Sequence, residues 1–347
     1  MASAALPAFP AADVAERSDR ARPRAVAAWL FAVAALVFAM VVVGGITRLT
    51  ESGLSIVKWN PVGGMVPPLS AADWNHVFAE YRASPQGRLV NTGMDLAAFK
   101  GIFFWEWLHR LIGMSIGTVF AVPLAAFVAL RWVPRGYGWR LAALLALGGL
   151  QGAIGWWMVA SGLDQLPAVA PERLATHLVN ALVLMSGCLW TALDLRADTN
   201  HISSFAGARA KPTLWIVPFL ALLTVQIMWG ALTAGLRAGH AADTWPLMLG
   251  AWVPPLASLV ADPVSVQFVH RTLAYAVAAA ALGTAFVTFR AGGGRRSAAL
   301  ASLIVLQFTL GVLTIIHGVP IALAAAHQAC AALLLATTVW IAHWARR

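Results

Sequence analysis

The stretch AVAAWLFAVAALVFAMVVVGGI, residues 25–46, carries no charged or strongly polar side chain in twenty-two consecutive positions. About 20 apolar residues suffice for a helix to cross the ~30 Å hydrocarbon core of a bilayer. Seven more runs of the same kind follow, so eight spans are expected, near residues 25–46, 102–130, 139–160, 173–194, 213–234, 266–289, 298–317 and 321–344. The whole chain agrees: of 347 residues 60% are hydrophobic and only 11% charged, and the mean hydropathy is +0.75. A soluble domain carries roughly 25% charged residues. The runs do not alternate as barrel strands must, which leaves an all-α polytopic membrane protein. The first run follows a polar tail, is too long for a signal-peptide core and is not followed by a small-residue cleavage site.

A net charge of +10 invites a nucleic-acid reading, but its distribution argues against one. Arg17, Arg20, Arg22 and Arg24 precede span one; Arg131, Arg135 and Arg140 lie between spans two and three; Arg196, Arg209 and Lys211 between four and five; Arg290, Arg295 and Arg296 between six and seven; Arg346 and Arg347 end the chain. With alternating spans all of these fall on one side, the positive-inside pattern. Both termini, including the tail 1–24, are then expected in the cytoplasm, or in the matrix if the membrane is an organelle's. The loop of residues 47–100 faces the opposite side and is too long for a simple connector. It is expected to form a cap with short helices near Ala71–Tyr81 and Asp95–Trp105.

The chain repeats itself. Gly44-Gly45-Ile46-Thr47, Trp59-Asn60-Pro61 and Val66-Pro67-Pro68 return as Gly230-Ala231-Leu232-Thr233, Trp245-Pro246 and Val253-Pro254-Pro255. Leu150-Gln151 with Gly155 returns as Leu306-Gln307 with Gly311. An even number of spans brings the chain back to its starting side, so the halves share orientation and are related by an axis along the membrane normal. Two pseudo-twofold-related four-helix bundles are expected, one over 25–200 with the cap and one over 201–347.

Four histidines mark equivalent places in this repeat: His109, His177, His270 and His327, each early in an even-numbered span. Alternation puts all four in the outer leaflet. One histidine in a membrane helix can serve as an interhelical hydrogen-bonder; four at repeated positions suggest ligands. Zinc sites take four ligands, or three plus water, and neither pair has enough neighbouring Cys, Asp or His. Two imidazoles on opposite sides of a flat macrocycle suit haem iron, and bundle cores are where such sites are built. His76, His201, His240, His317 and His343 lack repeat partners and sit in loops or at span ends.

The repeat breaks at one informative place. Glu106 lies one helical turn before His109, where the second half has Gln267 before His270. A carboxylate at that depth is costly unless paired or used, which suggests a reactive first site and a static second one. The plainer alternative is an i,i+4 ion pair with Arg110. Arg48, Arg110, Arg173 and Arg271 lie near the expected sites. Each could bind a porphyrin propionate bidentately or snorkel to headgroups. Trp105, Trp107, Trp156 and Trp157 could pack on a porphyrin, although an interfacial belt explains them as well.

The stretch Gly44-Gly45-Ile46-Thr47-Arg48-Leu49-Thr50-Glu51-Ser52-Gly53-Leu54-Ser55, with Trp59-Asn60-Pro61, Glu80-Tyr81, Ser84-Pro85, Phe99-Lys100 and Glu106-Trp107-Leu108-His109-Arg110-Leu111-Ile112-Gly113, resembles the haem A synthase family of the mitochondrial and alphaproteobacterial type. The resemblance runs from about residue 25 to the end. It implies oxidation of one ring methyl of haem O to the formyl of haem A, by successive hydroxylations to a geminal diol that loses water. It further implies that His109 and His177 hold the substrate haem, that His270 and His327 hold a resident haem b, and that Glu106 is the reactive glutamate. Haem O synthase, cytochrome oxidase assembly factors and an unidentified electron acceptor are the implied partners; a homo-oligomer is left open. Some bacterial relatives carry cysteine pairs in outer loops. Here the only cysteines, Cys188 and Cys330, fall inside expected spans, so the chain resembles the branch without them. Two rival readings are a diheme b-type electron-transfer cytochrome, which would need no Glu106, and a parallel-repeat transporter, which would need polar residues at mid-membrane.

Overall fold

A computed structural model describes residues 20–58, 63–163, 167–198 and 210–347. Arg17, Trp59-Asn60-Pro61, His201 and Arg209 lie outside the described residues, as does most of the tail.

The chain is almost wholly helical. Its helices are α1 Pro23–Leu49, α2 Ala71–Ala83, α3 Pro85–Leu89, α4 Leu96–Ala129, α5 Gly138–Leu163, α6 Pro171–Asp198, α7 Ala210–Gly235, α8 Pro263–Arg290, α9 Gly294–Ile316 and α10 Ile321–Ala345. Among the described residues eight of these, α1 and α4 to α10, are long and apolar enough to cross a membrane. The chain is therefore a multi-pass membrane protein.

One element differs from expectation. Residues 95–105 do not form a separate cap helix; they are the first turns of α4, which runs unbroken for 34 residues. Asp95 caps its start by accepting from the Ala98 N–H at 2.8 Å, and no Pro occurs before Pro123. With a cap at 95 and no breaker behind it, the helix has no reason to begin at 102. The cap is thus α2, α3 and the first turns of α4. Ser70 opens α2 with a reciprocal capping box to Asp73. Ser84 opens α3 with Pro85 in its first turn, the pairing of cap residue and proline that favours a helix start. Tyr81, Phe99 and Phe103 are buried where α2 meets α4, with the Trp74 ring edge-on to Phe103 at 5.0 Å.

Helix contacts repeat between the halves. In the first half α1 packs on α4 and α6, and α5 on α6; in the second α7 packs on α8 and α10, and α9 on α10. The halves meet through α1 against α10 and α6 against α7. Small residues make this close approach available. Gly45 of α1 faces Gln328 of α10 so tightly that a Cβ there would collide with Gln328 Oε1, and the Gln328 amide donates to Val41 O at 2.7 Å.

The packed core lies toward one end of the helices. It takes Val26 to Val41 from α1, Leu141 and Leu144 from α5, Ile216 to Leu223 from α7 and Leu300 and Ile304 from α9, none of them near the C-terminal end of its helix. From α4, α8 and α10 it takes later residues such as Phe120, Ala281 and Leu335. The other end, toward the cap, is hollow. Cys188 and Cys330 are both buried thiols on α6 and α10, as expected for cysteines inside spans.

Candidate functional site

The hollow end holds a continuous cavity of about 1390 Å³ lined by His109, His177, His270 and His327. A pocket for one small molecule is typically ~300–1,000 Å³, so this one has room for more than a single compact ligand.

The histidines meet in the expected pairs. The His109 and His177 rings have centroids 6.5 Å apart at 48°; those of His270 and His327 are 6.5 Å apart at 80°. Two imidazoles bound to one metal from opposite sides, at ~2 Å each and with each centroid about 1 Å further out, would have centroids ~6 Å apart. The observed spacing fits bis-imidazole ligation in both halves. Among the described residues no group of three or more His, Cys, Asp or Glu could hold a bare metal ion.

Each ring rests on a glycine. A Cβ at Gly44 would lie 3.2 Å from His109, one at Gly155 2.9 Å from His177, one at Gly230 3.1 Å from His270 and one at Gly311 2.9 Å from His327. The four glycines lie on α1, α5, α7 and α9, each on a helix packed beside that of its histidine. In the sequence they are only markers of the repeat, and nothing there reveals the contact with the rings. Gln151 and Gln307 are likewise repeat markers that prove to touch the site. The Gln151 amide lies 3.1 Å from His177 Nδ1, and the Gln307 amide lies 3.2 Å from His327 Nε2. His327 Nδ1 meets the Gln307 backbone carbonyl at 3.1 Å. That carbonyl can only accept, so Nδ1 carries the proton and Nε2 the lone pair, the tautomer that a bond from Nε2 to a metal requires.

Buried polar atoms without a hydrogen-bond partner gather at the second pair. They include His270 Nδ1 and the Oε1 atoms of Gln226, Gln267 and Gln307. Native interiors leave few such atoms, and each calls for a specific reason. A polar ligand between these helices supplies one.

Glu106 is almost wholly buried, with 3% exposure. Its Oε2 accepts from the Ser55 hydroxyl at 2.7 Å and the Ile56 N–H at 2.8 Å, and its Oε1 accepts from Arg110 at 2.6 Å. The ion pair weighed from the sequence is therefore present, and Arg110 also donates to Ile56 O at 3.0 Å. Both groups line the cavity. Gln267, the counterpart of Glu106, donates to Ala242 O at 2.9 Å, and Arg271 donates to Ala242 O and Thr244 O. The second half thus builds the same arch of arginine, polar side chain and loop, without a carboxylate.

The remaining candidates fall at the rim. Arg48 donates to Ala234 O and Gly235 O at the end of α7, and Arg237 pairs with Glu51 at 2.5 Å beside it. Arg173 donates to Trp157 O at 2.8 Å and lies over the Trp157 ring. Trp156 lines the cavity, while Trp107 donates to Met65 O at 3.2 Å. Of the histidines set aside, His240 lines the cavity, His76 pairs with Glu80 on the surface, His317 ends α9 and His343 contacts Asp194 at the far end of the molecule.

Residues 27–339 match the family of cytochrome oxidase assembly proteins. The chain belongs to that family. Among its relatives with a curated name, the haem A synthase of Rhizorhabdus wittichii is 50% identical over 93% of this chain and 94% of its own length. The haem A synthase of Caulobacter sp. strain K31 is 47% identical over 95% and 98%, and that of Sphingopyxis alaskensis 46% over 93% and 92%. The match to the cytochrome oxidase assembly family spans both halves of the repeat and all four histidines.

Proposed function

We propose that this chain is a haem A synthase, an oxidoreductase that converts haem O to haem A for cytochrome oxidase. The reading is carried by one observation: two facing imidazole pairs share a cavity, and a buried carboxylate, Glu106, stands beside only one of them. The names of relatives at 44–50% identity agree. A diheme electron-transfer cytochrome has no use for that difference.

In this reading His109 and His177 hold haem O, and His270 and His327 hold a resident haem b. When bound, the resident haem supplies one-electron redox chemistry. The chain's own residues do the rest. Ser55, Ile56 N–H and Arg110 fix both Glu106 oxygens, so the carboxylate can accept a proton or engage the ring substituent without first reorganising. The loop after α1 closes over the carboxylate through residues 55 and 56 and leaves it 3% exposed, which restricts water. In this reading the methyl takes oxygen from water in two steps, each releasing two electrons to the electron acceptor and two protons, to give a geminal diol, and loss of water leaves the formyl. Arg48, at the rim, and Arg110 and Arg271, beside the two pairs, are the candidates for propionate contacts.

The two halves act as separate units, a substrate bundle over 25–200 and a resident-haem bundle over 201–347. The basic loops favour both termini in the cytoplasm and the chain in the inner membrane, with the sites toward the outer side. Haem O synthase and oxidase assembly factors are its partners, along with an electron acceptor of unassigned identity.

Extraction and chromatography of haems from protein expressed with a haem O supply tests this. Haem A should accumulate, and His270→Ala should remove the haem b signal. Recovery of haem O unchanged from the intact protein would refute the synthase reading, and unaltered haem b in His270→Ala would refute the division between the halves.

A further inference from the structure

The two halves differ in how they close toward lipid. In the second half α8 and α9 are joined by residues 291–293 and pack along much of their length. Tyr275 of α8 meets Phe308 of α9 with ring centroids 5.4 Å apart, and both line the cavity. The Tyr275 hydroxyl accepts from Trp245 Nε1 at 3.1 Å, which ties the pair to the loop above. The aromatic pair bridges this seam.

In the first half the corresponding helices α4 and α5 are joined by the longer segment 130–137 and touch far less. Alignment of the repeats on His109 with His270 and on Gln151 with Gln307 sets Met114 against Tyr275, Gly148 against Ile304 and Gly152 against Phe308. The aromatic plug is missing, and the position of one of its rings is a glycine. A Cβ at Gly152 would meet nothing within 4 Å. Cavity-lining residues reach the outer surface in both seams, Trp156 and Leu145 in the first and Tyr275 in the second, but only the second has a ring packed across to the neighbouring helix. The wall of the His109–His177 chamber thus lacks the aromatic pair that spans the matching seam of the His270–His327 chamber, and its two helices meet less closely.

We propose that the α4–α5 seam is a lateral opening of the first chamber, and that it takes the long apolar side chain of a membrane-dissolved porphyrin. The inference rests on the reading of His109 and His177 as the substrate pair, and it adds the route and the subsite. A chain that lies in the seam keeps its contact with lipid and apolar side chains while the porphyrin seats between the histidines. Threading it past the cap would expose it to water instead. The plug in the second half retains its haem, and the unbridged seam in the first lets substrate arrive and product leave without crossing the cap. The same fold then yields one exchangeable site and one permanent site, through three side-chain differences.

The test uses the full chain, carrying its resident haem, in lipid nanodiscs. Uptake of haem O and of protohaem, which lacks the long chain, is followed by absorbance and by chromatography of extracted haems. Packing of the chain against the seam should make the intact protein take haem O in preference to protohaem by roughly 10-fold or more. Transplanting the plug, Met114→Tyr with Gly152→Phe, should slow haem O uptake by a similar factor while the His270–His327 haem content and thermal midpoint stay put. Leu150→Phe, on the outer face of the same helix, should change neither. The reciprocal pair, Tyr275→Met with Phe308→Gly, should make the resident haem exchange with added haem. Should the plugged variant fail to keep its resident haem, Gly152→Leu alone is read the same way. Uptake at the intact rate in the plugged variants overturns the proposal. So does equal uptake of haem O and protohaem by the intact protein, which would mean that the seam holds only lipid acyl chains. No porphyrin binding at His109 and His177 in any form would instead bring down the substrate-site reading, and the proposal with it.

Discussion

Gly311 does its work by lacking a side chain. With a Cβ it would press on His327 at 2.9 Å, and that ring is already held from the same helix by Gln307. Overpacking of this kind costs ~1–3 kcal/mol, which is about 5- to 150-fold in occupancy of the site. Gly311→Val should therefore lower the haem content of the second pair by that order, read from the ratio of absorbance to protein. Leu310→Val, one position earlier on the same helix, is the control and should leave that ratio unchanged. Glu106 makes a different kind of demand. Glu106→Ala would take the carboxylate away from the buried Arg110 and cost ~3–5 kcal/mol, confusing stability with chemistry. Glu106→Gln keeps the volume and copies Gln267. It should retain both haems and lose conversion of haem O by roughly 10²-fold or more, measured by chromatography of extracted haems. Unchanged haem A formation would remove Glu106 from the chemistry. Glu106, the histidines and their asymmetry were legible in the sequence, because those residues stand out by type. The purpose of the glycines was hidden, because a glycine advertises a missing side chain without naming the neighbour that needs the room.

At the scale of the element, helix ends carry the join between the halves. Arg48 of α1 donates to Ala234 O and Gly235 O, the last carbonyls of α7, where the negative end of the helix dipole favours a cation. Hydrogen bonds from charged groups are worth about 1.5–3 kcal/mol, less for a partly exposed pair such as this. Arg48→Ala should lower the thermal midpoint of the protein in detergent and leave the absorption of the second haem pair unaltered. A loss of haem at unchanged midpoint would instead point to a propionate contact. The spans themselves were legible as apolar runs, since the membrane demands them. Their ends were not: hydropathy locates the part of α4 that lies in hydrocarbon, whereas Asp95 sets where the helix starts.

For the molecule as a whole, a polar knot at the end opposite the cavity opposes drift of the halves. Asp194 of α6 is 3% exposed and accepts from Arg140 at 2.7 Å and His343 at 2.9 Å, with Arg346 as a third partner. His343 and Arg346 belong to the last helix and its end, so the knot crosses the repeat. Asp194→Asn should cost roughly 1–3 kcal/mol, seen as a lower thermal midpoint with both haem signals retained at low temperature. Asp194 escapes notice in the sequence because His343 and Arg346 lie about 150 residues away and nothing local announces them. The repeat was legible and implied equal halves; the unequal seams emerge only when Met114 and Gly152 are seen beside Tyr275 and Phe308.

The contact of Gly45 and Val41 with Gln328 has a consequence for how the protein is made. Of the eight spans, the first in the chain has one of its neighbours, beside α4 and α6, in the last. Until residue 328 has emerged from the ribosome, α1 stands in the membrane without that support, and Gly44, one position away, is the backing for His109. The wall behind His109 therefore gains this last contact only once the final span is in place.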